Sequence, residues 1–80
     1  MDLGERVAEI IARVADTDVV IGDREVRLYD RGILDSIATV ELLLELSREF
    51  GVELSPAEVD REEWATPNRI AQYLEQRIAR

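Results

Sequence analysis

The sequence predicts an all-α domain: a small four-helix bundle with a long loop between the first and second helices and a short third helix. Three observations predict it. Three segments repeat apolar residues at the three-to-four spacing of one helix face, each opens on a capping residue, and the only strand-like stretch would form a lone, marginal hairpin. Eighty residues of which 46% are apolar set the scale at one domain over residues 1–80 with a small core.

The first helix is expected from about Leu3 to Ala15, with Leu3, Val7, Ile10, Ile11 and Val14 on one face. Asp2 is placed to cap it, with Glu5 three residues further on. From Asp16 to Leu34 the stretch VVIGDREVRLY admits two short strands around Gly22-Asp23, a hairpin signal. A long loop that tucks Val19, Ile21, Val26, Leu28 and Leu34 onto the helices fits the rest of the chain better, and loops of that length are ordinarily functional. The second helix, Ser36 to Phe50, has the best marked ends, with Asp35 as N-cap and Gly51 placed for a left-handed stop. At 100° per residue Val40, Leu43, Leu44, Leu46 and Phe50 share one arc, and Glu41, Glu45, Arg48 and Glu49 the opposite one. In DREEW, Asp60 and Glu63 have capping-box spacing ahead of Trp64 and predict one short turn, the third helix. Trp64 reads first as a core or edge anchor. The last helix follows Thr66-Pro67, a capping hydroxyl before a proline suited to the first helical position. Its stripe is Ile70, Tyr73, Leu74 and Ile78, and it should run to the C-terminus.

Composition excludes several chemistries. Cysteine and histidine are absent, which removes disulfides, a Ser-His-Asp triad, a Cys-His pair and the commonest zinc ligands. The acidic residues Asp16, Asp18, Asp23 and Asp30 lack the ligand spacing of an EF-hand loop, so no metal site is expected. A net charge of −8 repels phosphate backbones and anionic headgroups, and the ten positive residues, all arginine, form no patch. Nucleic acid is therefore not a partner. Proteins with basic surfaces are, at rates that fall with salt. No apolar run approaches the roughly 18 residues of a membrane span, and the opening MDLGERVAEI is not a secretory signal. The expectation is a cytoplasmic protein.

Asp35-Ser36 poses the functional question. A serine in a first turn is ordinarily structural. Here the wheel puts Ser36 in the apolar arc, yet its place in the first turn lets the side chain project past the packed stripe. No base or oxyanion-hole set within this domain could activate Ser36, so if Ser36 reacts, a second protein must supply the catalysis. Ile37 lies at the margin of the charged arc, as a contact residue or as a cover for the end of the bundle.

Leu34-Asp35-Ser36 opening an acidic amphipathic helix resembles the 4′-phosphopantetheine attachment motif of acyl and peptidyl carrier proteins. Within that superfamily LYDRGILDSIATVELLLELSREFGVEL followed by VDREEWATPNRI, roughly Leu28 to Ile70, is similar to the D-alanyl carrier proteins of teichoic-acid D-alanylation. Asp60-Arg61, Trp64 and Thr66-Pro67-Asn68 carry that narrower likeness. The chain departs from it at Val59, where the family has an aromatic residue, at Ala38, commonly glycine, and at Pro56, which the family places one position earlier. The resemblance implies a bundle of acyl-carrier type whose Ser36 receives the arm from coenzyme A through a phosphopantetheinyl transferase. It implies that the arm's thiol takes D-alanine as a thioester from an ATP-dependent D-alanine:carrier protein ligase. A membrane-bound O-acyltransferase would receive it, so that the membrane is met only through a protein partner. It further implies a monomer whose partners meet Asp35, Ile37, Glu41 and Glu45 around Ser36, with Val59 bordering the arm. Two alternatives stand beside it: a carrier for another amino-acid, fatty-acyl or polyketide pathway, and an acidic helical interaction module without prosthetic group.

Overall fold

Helix α1 spans Leu3–Ala15 in the computed structural model, which describes residues 2–78. The Asp2 carboxylate accepts the Glu5 amide at 2.7 Å, and the chain leaves the helix through Asp16 in the left-handed region. Val7, Ile10 and Ile11 are buried, and α1 packs against each of the other three α-helices, which makes it the spine of the bundle.

The segment after α1 corrects one expectation. Val19–Gly22 coils into a single helical turn, α2, closed by the Asp23 amide on the Val19 carbonyl at 3.0 Å. One turn of helix spreads successive side chains about 100° apart, so a turn this short can present only a narrow face to the core. Val20 is the side chain on that face and is buried in the core, while Val19 and Ile21 are exposed. Val26, Leu28 and Leu34 are buried as expected. No strands form among the described residues. The remainder of the loop is tied down by its own backbone: the Leu28 carbonyl accepts from Ile33 and Leu34, and the Leu28 amide donates to Ala65 at 2.8 Å. A second tie joins Asn68 N–H to the Arg24 carbonyl at 3.0 Å.

Helix α3 spans Ser36–Phe50, capped by Asp35 and ended by Gly51 at φ 65°, where a side chain would be strained. Its buried residues are Thr39, Leu42, Leu43 and Leu46. The arc expected from the sequence was rotated relative to this one, and Val40 and Leu44 face outward. The reason lies at Thr39. Its hydroxyl donates to the Asp35 carbonyl at 2.7 Å and bonds the Tyr29 hydroxyl at 2.8 Å, so a polar side chain occupies a core position without leaving a polar atom unpaired. With Thr39 inside, the buried stripe runs 39, 42, 43, 46.

The short helix is also displaced. Ser55 and Glu58 form a reciprocal capping box with Pro56 in the first turn, giving a 3-10 helix over Pro56–Glu58. At DREEW, Asp60 does cap, accepting from the Glu62 and Glu63 amides at 2.8 and 3.2 Å, and Trp64 N–H reaches the Asp60 carbonyl at 2.9 Å. This hydrogen-bonded turn ends there because Pro67 disfavours helical conformation at Thr66. Thr66 then caps α4, Pro67–Ile78, by accepting the Arg69 amide at 3.1 Å. Ile70 and Leu74 are buried and Tyr73 half-buried. Ile78 is exposed, since the core ends one turn earlier. The expected continuation to the C-terminus lies outside the described residues.

Trp64 is fully buried, its ring tilted against Tyr73 at 5.4 Å between centroids. The anchoring role expected of it is the one it has. Its indole Nε1 finds no acceptor among the described residues. None of the described helices is long and apolar enough to cross a membrane.

Candidate functional site

Two buried residues fix the position of Ser36. Leu34 enters the core two residues before it and Thr39 three residues after it, both nearly inaccessible, so the intervening turn is held outward. Gly32, at φ 72°, supplies the bend that brings Leu34 inward. Asp35 is extended, and its carboxylate accepts the Ala38 amide at 2.8 Å. The cap and the Thr39 bonds are made by the neighbours of Ser36, and its own hydroxyl takes part in neither. It is an exposed hydroxyl at the positive end of a fifteen-residue helix, an environment favourable to an attached phosphate.

Beside it lies a groove of about 250 Å³ lined by Tyr29, Ser36, Thr39, Val40, Pro56, Val59 and Arg61. One wall is the first turns of α3, and the other is the segment from the 3-10 helix to the DREEW turn. Arg77 braces that second wall: its guanidinium bonds Glu58 and donates to the Glu53 carbonyl at 2.7 Å, while Tyr73 O–H donates to Glu58 at 2.9 Å. The Tyr73 hydroxyl and then Arg77 hold the Glu58 carboxyl below its ordinary 4.5.

The other residues singled out by the sequence fall unevenly around Ser36. Asp35 and Glu41 are exposed, and Ile37, at 73% exposure, stands clear of the bundle. Val59 lines the groove. Glu45 is half-buried and held by Arg13 at 3.2 Å and Arg48 at 3.4 Å, so its charge is already countered within the chain. Sequence reasoning missed Val40 and Leu44, which are 44% and 61% exposed and join Ile37 in an outward apolar stripe. The signal was present, since positions 37, 40 and 44 have helical spacing of their own once Leu42 and Leu46 are taken as the centre of the buried face. Tyr29 and Arg61 were missed because the fold alone brings them beside Ser36.

The sequence matches the phosphopantetheine attachment site family over residues 5–74, and the chain belongs to that family. It is a non-catalytic carrier domain with a covalent 4′-phosphopantetheine cofactor, served by a phosphopantetheinyl transferase and by acyl-handling enzymes. Membership removes the reading of an interaction module without prosthetic group. An exposed hydroxyl, a helix N-terminus and an adjoining groove fit such a group without rearrangement.

Proposed function

We propose that Ser36 is the attachment residue and that the chain carries D-alanine between an ATP-dependent D-alanine ligase and a membrane-bound O-acyltransferase, for D-alanylation of teichoic acids. The observation that carries the attachment is the isolation of the Ser36 hydroxyl, outside the cap network and beside the groove. When attached, the arm supplies the thiol that this cysteine-free chain lacks, and so the means to hold an acyl group as a thioester. The chain's own residues do the remainder. Asp35 holds the first turn of α3 in place, Leu34 and Thr39 keep it outward, and Ile37, Val40 and Leu44 offer an apolar stripe flanked by Asp35 and Glu41 for basic, partly apolar partner surfaces.

A small cargo is supported by the core. Leu28, Leu34, Leu42, Leu46 and Trp64 are almost wholly inaccessible, so a long acyl chain could enter the bundle only by repacking it. A compact aminoacyl group needs only the open groove. D-alanine in particular is supported by the resemblance to D-alanyl carriers of VDREEWATPNRI, the segment whose Val59 and Arg61 line the groove. Val59 stands there in place of an aromatic residue and leaves the wall lower, which favours, as a second reading, a carrier for a somewhat larger amino acid.

Intact-mass measurement after incubation with coenzyme A and a broad-specificity phosphopantetheinyl transferase tests the attachment. The wild type should gain one arm and Ser36→Ala none; a wild type that gains nothing, or a variant that still gains, sinks the assignment. Offering the loaded protein to D-alanine, glycine and L-amino-acid ligases then tests the cargo. Loading by every ligase except that for D-alanine would remove D-alanine and leave the carrier.

A further inference from the structure

Among the described arginines, seven are committed to carboxylates. Arg6, Arg13, Arg24, Arg27, Arg48, Arg69 and Arg77 each lie within ion-pair distance of an acidic side chain. In a chain with eighteen acidic residues that is the ordinary fate of a cation. Arg61 is different. Its guanidinium lies over the Tyr29 ring at 4.8 Å from the centroid, in the wall of the groove that also contains Ser36. Asp30 and Glu62, which share a neighbouring pocket with it, are engaged elsewhere, Asp30 with Arg27 and Glu62 with Arg27 and Arg69, and the Asp60 carboxylate next to it in sequence accepts from the Glu62 and Glu63 amides. Its platform is fixed as well, because the Tyr29 hydroxyl is bonded to Thr39, itself bonded to the Asp35 carbonyl at the start of α3. Stacking on an aromatic face orients a guanidinium while leaving its N–H groups free to donate.

We infer that Arg61 is a positioning residue for the arm: it donates hydrogen bonds to the phosphodiester of a 4′-phosphopantetheine attached at Ser36 and directs the arm along the groove. The inference rests on the attachment proposed above. A phosphodiester is a monoanion with the acceptor geometry a guanidinium fork matches, and the positive end of α3 favours it from the other side. The contact is exposed, so it is an equilibrium rather than a lock. A preference of roughly two- to fivefold for the bound over the free arm is the scale expected of an exposed ion pair, and it fades as salt screens it. An arm held part of the time lies along the groove between encounters and is still free to leave when a partner arrives.

The test compares fully loaded wild type, Arg61→Gln and Arg61→Lys, with loading verified by intact mass and folding by circular dichroism. Phosphorus NMR of the wild type should show the phosphodiester resonance displaced from that of free pantetheine phosphodiester. Most of the displacement should be lost in Arg61→Gln and in the wild type at high salt, and part regained in Arg61→Lys. Nitrogen-15 spectra should show the Arg61 Nε–H signal shifting between the apo and loaded forms while that of Arg31 stays in place. Identical phosphorus shifts in loaded wild type and Arg61→Gln, with Arg61 Nε–H unmoved by loading, overturn the inference and leave the attachment intact. A wild type that gains no mass removes both. If the phosphorus shift is unchanged and Arg61→Gln only raises the KM of a ligase, Arg61 touches the partner and the inference is again wrong.

Discussion

Asp35 caps α3 and is proposed above to be read by partners, and two substitutions separate the two roles. Among the described residues its carboxylate accepts one hydrogen bond, from the Ala38 amide at 2.8 Å, while the bonds from Thr39 go to its backbone carbonyl and survive any side-chain change. Replacing it by alanine therefore removes one capping bond and the charge, at a cost of about 1 kcal/mol. For a domain of this size that lowers Tm by roughly 4–8 °C. Asp35→Asn keeps an acceptor at the same place and loses only the charge, whose interaction with the helix end, about 0.3–1 kcal/mol at low ionic strength, is largely screened by salt. Thermal unfolding in about 0.5 M salt should then leave Asp35→Asn within a few tenths of a kcal/mol of the wild type and Asp35→Ala about 1 kcal/mol below it. Loading by the transferase at low salt should follow charge instead of capping, with both variants slower by about two- to fivefold and the difference vanishing at high salt. Equal destabilisation by Asn and Ala in salt would refute the hydrogen-bonded cap. Unchanged loading of both variants at low salt would refute the reading of Asp35 by partners.

The two glycines Gly51 and Gly22 should respond to alanine with opposite signs: Gly51→Ala, at φ 65°, should cost about 1–2 kcal/mol in urea unfolding, and Gly22→Ala, helical with open space around it, should be neutral or stabilising by about 0.4–1 kcal/mol. Trp64→Ala should cost about 3–5 kcal/mol, and the wild-type indole, fully buried, should emit as an apolar-site tryptophan and resist iodide quenching. Glu58 is held below 4.5 in the fold by Tyr73 and Arg77, so its contribution is complete above 4.5 and is lost as pH falls through the lowered folded value. Unfolding curves at pH 7 and pH 3 should therefore differ less for Glu58→Gln than for the wild type, and an equal difference in both would remove the linkage. Leu44→Ser should leave stability nearly unchanged, the side chain being 61% exposed, yet raise the KM of a partner ligase; a loss of stability without a KM effect would assign Leu44 to the core.

The long helices were legible because their ends are written locally. Asp2, Asp35 and Thr66 cap where a capping side chain was expected, and Gly51 stops α3 in the conformation it alone adopts cheaply. The side of α3 that turns inward was not legible to the same degree. A wheel weighs Thr39 as polar and Leu44 as apolar, whereas burial here depends on Tyr29, a residue ten positions away, supplying Thr39 with a partner. Val20 was hidden for a related reason, since one helical turn held by a few backbone bonds leaves no periodicity to read. At the site, Ser36 and Asp35 were visible as a dipeptide. Arg61 was not, because nothing in sequence distinguishes an arginine lying on a tyrosine from one paired with the nearest acid.

If the groove receives the loaded arm, as proposed above, the brace from Arg77 to Glu58 and the Glu53 carbonyl gives α4 a say in cargo handling. Pro56 and Val59, on either side of Glu58, form part of the groove's far wall, and what holds that wall is a side chain from the last described turn of the chain. Substitutions at Arg77 or Tyr73 should alter which acyl groups the carrier accepts without touching Ser36 or any residue a partner reads. Engineering the cargo range of this carrier can accordingly begin at α4 and leave the docking face as it is, and any tag joined beyond α4 needs a spacer long enough to leave the brace undisturbed.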